Sequence, residues 1–395
     1  VSAATSPPQS FRIVSSPEND WILSPRATIK VRRQPQSAHS GNDNSPSLER
    51  ALEKMRALGY QSPPDTKLFS ATVLTSTDCN FRCFYCFQNE KTEEDVVRRI
   101  PKMRLTVPQA SRISLWVKNR MEKAGCDRIS LLLFGGEPLL SPHACLALLN
   151  GMQDKLEHAH MISNGYMLTM ETATALADAG LESIQLTFDG NNRDHDAVRS
   201  TTGGQPSYRR IIRNLATAVD DTPLRIGVRI NVTRSNIDGV PGIISDLVDN
   251  VQDLSRLTLS FAIVRDYSWN RDLETQQAKD TVDSMACSLL DAAQTAHKAG
   301  MLLGKPASND CAFCAGTPGH TGAVVTPDGG LYSSWETAGR ADYKVGDIYA
   351  GYQVDLESKW LSCHDFYEDN QQAATVSQKI RSAYEGRLLD YLYSP

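Results

Sequence analysis

Leu68-Phe69-Ser70-Ala71-Thr72-Val73-Leu74-Thr75-Ser76-Thr77-Asp78-Cys79-Asn80-Phe81-Arg82-Cys83-Phe84-Tyr85-Cys86 begins as an apolar, β-prone run and ends as a loop of three cysteines spaced C-x3-C-x2-C. Three thiolates on one short loop can hold three irons of a [4Fe–4S] cube and leave the fourth iron without a protein ligand. An iron with an open position can bind and reduce a small molecule, whereas a cluster held by four cysteines mainly carries electrons. The plain alternative is a zinc knuckle, but structural zinc usually takes four ligands in two pairs, and no second pair lies nearby. Nine cysteines in 395 residues are too sparse, and odd in number, for a disulfide framework.

Outward from this loop the chain alternates β-like and helical stretches, the pattern of a parallel α/β sheet. The expected strands are Phe69–Thr75, Ile129–Phe134, His158–Ser163, Ser183–Phe188, Leu224–Thr233 and Leu257–Val264. The expected helices are Val107–Ala124, Ser141–Lys155, Met170–Ala179, Ser207–Val219, Ile237–Val251 and Glu274–Lys298. Six βα units in a row point to an α/β fold, a partial (β/α)6 TIM-like barrel over residues 67–300. Chemistry in such barrels sits on the loops after the strands, which is where the three cysteines fall. Residues 1–66 read as an N-terminal extension, partly mobile, that covers the barrel or contacts a leader peptide. Within it Ser47 to Gly59 reads as a helix with Ser47 as N-cap and Gly59 as C-cap. Residues 301–395 read as a small C-terminal domain, rich in Gly and aromatics, with a hairpin at Pro327-Asp328-Gly329.

The cysteine loop resembles the signature of the radical S-adenosylmethionine (radical SAM) enzymes, including the aromatic Tyr85 before the third cysteine. The resemblance implies a [4Fe–4S] cluster on Cys79, Cys83 and Cys86, with S-adenosylmethionine chelating the open iron. Phe134-Gly135-Gly136-Glu137-Pro138 is similar to the family's segment beside the methionyl amino group, with Glu137 as the matching acid. Two glycines let a backbone pass close to a ligand. Ser163-Asn164-Gly165 resembles the polar turn facing the nucleoside. Thr187-Phe188-Asp189-Gly190 and His195-Asp196-Ala197-Val198-Arg199 resemble the S-x-D-G and H-D-x-x-R of peptide-modifying members, with Thr187 where serine is usual. Thr187 and Arg199 would then bind the cofactor's carboxylate, which a guanidinium fork suits. Asn231 resembles a position near the ribose; it shares a strand face with Arg229, pointing either into the barrel or away from it. The family's chemistry is reductive cleavage of the sulfonium, which yields a 5′-deoxyadenosyl radical that abstracts a substrate hydrogen.

Cys311 and Cys314, followed by Gly322 to Tyr332 and a lone Cys363, resemble the SPASM and twitch extensions that carry auxiliary iron–sulfur clusters. Cys314, fourteen residues and Gly329 fit that frame, but Ser334 stands where the next cysteine belongs. At most one auxiliary cluster is expected, on Cys311, Cys314 and Cys363, completed by Ser334 or by Glu336, His364, water or substrate. A zinc site on the same thiolates and a domain without metal are the rival readings. Cys126, Cys145 and Cys287 read as plain thiols in or beside helices.

The chain has 41% hydrophobic and 22% charged residues and a net charge of −5. That is the composition of an ordinary globular protein, without a basic footprint for nucleic acid. It shows no apolar run long enough to span a membrane and no signal-peptide pattern in its polar start. A cytoplasmic protein is expected, with a precursor peptide and a reductant such as flavodoxin or ferredoxin as partners. The leading expectation is a radical SAM oxidoreductase that installs a crosslink or an oxidised residue in a ribosomally made peptide. The alternatives are a small-molecule dehydrogenase, epimerase or decarboxylase of the same chemistry, and a metal-stabilised binding protein without turnover. His195, Asp189 and acids near the barrel mouth are available as a general base. Trp269, Trp335, Tyr267 and Tyr332 either face the mouth or fill the interdomain core.

Overall fold

The computed structural model describes residues 11–33, 46–60, 67–86, 88–91, 97–264, 276–308, 321–353 and 371–394. An antiparallel sheet of β1 (Arg12–Ser15), β2 (Asn19–Leu23) and β3 (Thr28–Arg32) precedes helix α1 (Pro46–Ala57). Leu48, Leu52 and Met55 of α1 bury one apolar stripe with Ile22 of the sheet. Gly59 ends the helix as expected, at φ 72°: its N–H donates to Arg56 O and that of Tyr60 to Met55 O. This is the Schellman arrangement, which needs a left-handed residue. Ser47 is not the N-cap, because Pro46 is already helical; proline favours a first helical turn, where its missing N–H costs nothing.

The barrel starts with β4 (Leu68–Ser76). A hairpin of β5 (Asn89–Lys91) and β6 (Val97–Arg99) separates it from helix α2 (Val107–Lys123). There follow β7 (Arg128–Gly135), α3 (Pro142–Met152), β8 (Leu156–Ser163), α4 (Met170–Asp178), β9 (Ser183–Phe188), α5 (Asn192–Val198), α6 (Tyr208–Asp221), β10 (Arg225–Val232), α7 (Val240–Asn250), β11 (Leu257–Ile263) and α8 (Gln276–Lys298). Strands β4, β7, β8, β9, β10 and β11 are parallel and neighbour each other in chain order. All six strands expected from the sequence are present, with ends shifted by at most two residues. Helix ends drift further: the expected Ser141–Lys155 is helical over Pro142–Met152, and Ile237–Gly239 is a 3-10 turn ahead of α7. Helix α5 is not legible as an element, being a seven-residue polar segment.

Successive strands add at the same edge, and right-handed crossovers then lay every helix on one face. Phe69, Ala71 and Val73 of β4, Ile129, Leu131 and Leu133 of β7, and Ile226, Val228 and Ile230 of β10 meet the helices in one core. The opposite parity faces inward, and it is largely polar: Ser70, Thr72, Ser130, His158, His160, Gln185, Arg229 and Ser260. A closed eight-stranded barrel fills its interior with branched apolar layers. This inner wall is polar over those positions, while Leu74, Leu132, Phe134 and Ile162 of the same parity pack with Val324, Tyr332 and Trp335.

The C-terminal segment continues the same sheet. Strand β12 (Leu302–Leu303) pairs with β11, and β13 (Gly322–Val325) pairs parallel to β4 at the other edge. From there β14 (Gly330–Tyr332), β15 (Gly346–Asp347) and β16 (Gly351–Tyr352) extend it antiparallel. The expected hairpin turn joins β13 and β14: Gly329 N–H donates to Thr326 O, with Gly329 at φ 87°. A final helix, Gln371–Leu392, packs on α8 and β11 and reaches back to the N-terminal sheet. Its Asp390 accepts from Asn19 Nδ2 at 2.8 Å and Trp21 Nε1 at 2.9 Å, and Glu385 pairs with Arg12. Among the described residues no helix is long and apolar enough to cross a membrane.

Candidate cofactor site at the strand ends

The cysteine loop leaves β4 through a register shift between Leu74 and Ser76, an irregularity that bends the strand end and re-aims the chain beyond it. Its backbone is then clamped by the Gly135–Pro138 turn of β7. Gly136 N–H donates to Ser76 O at 2.7 Å, and Glu137 N–H to Asp78 O at 2.9 Å. A Cβ on Gly135 would lie 2.0 Å from Ser76 O, and one on Gly136 would lie 2.3 Å from Asp78 O. The close approach the two glycines permit is to the backbone that leads into Cys79.

Cys79, Cys83 and Cys86 are half-buried and free of disulfides. Phe81 N–H donates to Cys79 Sγ at 3.4 Å, and Asn164 Nδ2 lies 3.8 Å from the same sulfur. Asn164 Nδ2 also donates to Asn80 Oδ1 at 2.8 Å, so the turn after β8 is tied directly to the cysteine loop. Glu137 holds that turn in place. Its Oε1 accepts from Ser163 Oγ at 2.8 Å and Leu139 N–H at 3.0 Å, and its Oε2 from Asn164 N–H at 2.8 Å. At 0% exposure its carboxylate is enclosed by these three donors. Burial pushes this carboxyl up, against the opposing effect of its hydrogen bonds.

A second group converges from β9, β10 and α5. Tyr85 Oη lies 2.8 Å from Asp189 Oδ1 and 2.7 Å from Oδ2, and accepts from Arg199 Nη1 at 3.0 Å and Asn231 Nδ2 at 3.1 Å. Asn231 and Arg229 therefore point into the barrel, joined by a 3.2 Å bond from Arg229 Nε to Asn231 Oδ1. Thr187 is buried on the same inner face, in register with Arg229. Burial works against the Arg199 cation, but Tyr85, Cys83 and Asp189 outweigh it and hold the guanidinium charged. Burial raises the Tyr85 phenol and the Asp189 carboxyl, with Arg199 opposing both shifts.

The H-D-x-x-R run divides its work. Asp196 Oδ1 accepts from Ser207 N–H at 2.7 Å and Tyr208 N–H at 2.9 Å, capping α6. His195 is fully buried. Asp189 N–H donates to His195 Nδ1 at 3.4 Å, His195 Nε2 sits 3.0 Å from Ser207 Oγ, and Ser207 Oγ donates to Arg199 O at 2.7 Å. The imidazole thus braces the backbones of Asp189 and Arg199, and burial, followed by Arg199, lowers its pKa well below the usual value. A ring enclosed in this way is not placed to take a substrate proton. Asp189, the hub of the network, is signalled in the sequence only by its place in the T-F-D-G turn.

The donor set suits an iron–sulfur cluster with S-adenosylmethionine. Three cysteines share one loop; beside them Asn80 Nδ2 makes no hydrogen bond, and the Arg199 guanidinium is held with its Nε 3.6 Å from Asp189 Oδ2. A carboxylate and a polar nucleoside are groups that such donors bind. Outside the loop, a cavity of about 430 Å³ is lined by Asp78, Cys79, Arg82, Lys102 and Arg104. Lys102 and Arg104 pair with Asp78 at 3.0 and 2.7 Å. Cys311, Cys314, Cys363, His364, Tyr267 and Trp269 lie outside the described residues. Ser334 is buried and its Oγ accepts from Glu336 N–H at 3.2 Å. Trp335 and Tyr332 pack with Phe134, Leu74 and Val324.

Comparison with known proteins agrees with this geometry. The Radical SAM superfamily matches residues 73–254. The radical SAM cyclopropyl synthase TigE of Paramaledivibacter caminithermalis is 26% identical over 174 residues, covering 42% of this chain and 35% of its own length. The probable GTP 3′,8-cyclase of Methanocaldococcus jannaschii is 24% identical, covering 44% of this chain and 53% of its own. The sporulation killing factor maturation protein SkfB of Bacillus subtilis is 23% identical over 266 residues, covering 66% of this chain and 58% of its own. The chain thus spans between about a third and three fifths of the length of these curated relatives. Native anSMEcpe with bound AdoMet superposes with a TM-score of 0.60 at 15% identity, over 83% of this chain and 100% of the other. The same protein with AdoMet and the Kp18Cys peptide gives 0.51 at 15% identity, over 79% and 84%. The chain therefore carries a radical SAM domain over residues 73–254.

Proposed function

We propose that this chain is a radical SAM enzyme that modifies a ribosomally made peptide, installing a crosslink or an oxidised residue. When bound, the cluster and S-adenosylmethionine supply a 5′-deoxyadenosyl radical able to abstract hydrogen from an unactivated carbon. Cys79, Cys83 and Cys86 would hold the irons. Arg199, with Thr187, would take the cofactor's carboxylate, and Asn164 and Asn231 would face its nucleoside. Tyr85 and Asp189 would close the site from water, and Gly135–Glu137 would present backbone groups beside the amino end. The observation that carries the reading is the convergence of the cysteine loop with the Tyr85–Asp189–Arg199–Asn231 network on one rim of a barrel whose inner wall is largely polar.

Three points support the peptide over a small molecule. The alignment with SkfB, a maturation protein, reaches 66% of this chain, beyond the barrel. The fold is shared with a protein bound to a peptide. The outer edge of β3 carries no strand partner among the described residues, and such edges accept an added peptide strand, so the N-terminal extension is the place for a leader. The exposed Arg82, Lys102 and Arg104 beside Cys79 suit an acidic one-electron donor such as a flavodoxin or ferredoxin. Cys311, Cys314 and Cys363 would hold an auxiliary cluster. The second reading, a small-molecule radical enzyme, is favoured by the match to GTP 3′,8-cyclases.

The test counts iron and 5′-deoxyadenosine in anaerobically reconstituted protein. About eight irons per chain, falling to about four when either cysteine triad is removed, together with peptide-dependent 5′-deoxyadenosine, supports the maturase. About four irons, with 5′-deoxyadenosine stimulated by GTP and not by peptide, supports the second reading. No 5′-deoxyadenosine under any condition leaves a binding protein without turnover.

A further inference from the structure

A separate cluster of ligating side chains stands where β8 meets the start of β9. His158 and His160 are two apart on β8, so both face inward, and Glu182 immediately precedes β9. Their ligand atoms all lie within 4.8 Å of one another. The sheet fixes the three backbones: Glu182 N–H donates to Ala159 O at 2.9 Å, Arg225 N–H donates to Glu182 O at 3.1 Å, and His160 is in register with Ser183. His158 Nδ1 lies 3.3 Å from Glu182 Oε2. The two imidazoles are nearly parallel, at 17° and 6.0 Å between centroids. Two cations so placed would repel, whereas two neutral rings can share a metal ion.

His160 also has the orienting partner that ligating histidines usually have. Its Nδ1 is 2.8 Å from Ser183 Oγ, so Nδ1–H can donate there and leave the Nε2 lone pair free. Burial, partly opposed by Glu182, lowers the pKa of His160, which favours the neutral ring a metal requires. His158 and Glu182 are about half-exposed, which leaves an entry path.

We propose that His158, His160 and Glu182 bind a zinc-class divalent cation where β8 meets the start of β9, with a further position open to water or to a substrate heteroatom. Two imidazoles and a carboxylate with an open fourth position are a ligand set that zinc takes, and such a site holds zinc more tightly than ferrous iron. The four residues from His160 to Asn164 place it roughly 13 Å down β8 from the cysteine turn. It is therefore a second site, able to anchor an anionic or thiol group there, and it stands whether or not the substrate is a peptide.

The experiment loads anaerobically reconstituted holoprotein with Zn²⁺, removes loose metal by gel filtration, and counts zinc and iron together. Wild type is expected to keep about one zinc per chain that His160→Gln and Glu182→Gln lose, with iron unchanged. Zinc X-ray absorption on the wild type is expected to show nitrogen and oxygen at about 2.0–2.1 Å with imidazole scattering and no sulfur. No retained zinc in wild type, as much zinc in both variants as in wild type, or a sulfur shell at about 2.3 Å overturns the proposal. The wild-type spectrum decides even where a variant fails to fold.

Discussion

A Cβ on Gly136 would stand 2.3 Å from the carbonyl oxygen of Asp78, so the loop that bears the cysteines and the turn after β7 touch backbone to backbone. This contact leaves no room for a side chain at either glycine. Gly136→Ala must push the Asp78–Cys79 peptide away. A loss of about 1–3 kcal/mol in stability is expected from overpacking at such a contact, with several-fold lower iron loading. Urea unfolding and an iron assay on the same sample check both; iron loading equal to wild type would refute the clamp.

Arg199 is buried, donates to Tyr85 Oη at 3.0 Å, and pairs through Nε with Asp189 Oδ2 at 3.6 Å. A charged hydrogen bond contributes about 1.5–3 kcal/mol, which corresponds to roughly tenfold or more in affinity. Arg199→Lys is expected to weaken S-adenosylmethionine binding by about that factor while iron content stays level, because lysine has no planar fork. Equilibrium binding to the reconstituted protein measures it.

Asp196 separates cofactor chemistry from folding within the same motif. Its carboxylate caps α6 through Ser207 and Tyr208 N–H. Asp196→Ala is expected to cost about 1 kcal/mol of stability, as loss of a helix cap does, and to leave the S-adenosylmethionine affinity near wild type. A large affinity loss without destabilisation would contradict the assignment.

His195 gives the fold a pH dependence. Its pKa is lowered from 6.5 by burial and then by Arg199. Below 6.5 the unfolded ring binds a proton that the folded ring does not, so stability rises with pH up to that value and levels off above it. The thermal midpoint should therefore fall as the pH drops below about 6.5, and His195→Gln should flatten that slope while lowering the plateau. Melting curves across the acid range test the sign directly.

Much of this is legible in the chain. The β4 run and the C-x3-C-x2-C spacing locate the barrel edge and the cluster loop, because strand alternation and ligand spacing are local properties. The same holds for the six βα units and for Gly59, whose positive φ only glycine adopts freely. The three donors that hold Glu137 are not legible in the sequence, because they come from segments 2 to 27 residues away. The roles within H-D-x-x-R are hidden for a related reason, since a brace, a cap and a ligand arm have the same spacing.

The parallel α/β order and the three cysteines on one loop can be read straight from the chain, because both are local patterns. Three-dimensional packing was needed to show that Arg229 and Asn231 face inward, that β13 joins the sheet beside β4, and that His158, His160 and Glu182 come together. Periodicity tells which residues share a face of a strand. Which face becomes the lumen depends on where the crossovers lay the helices, and that is settled by packing between segments far apart in the chain.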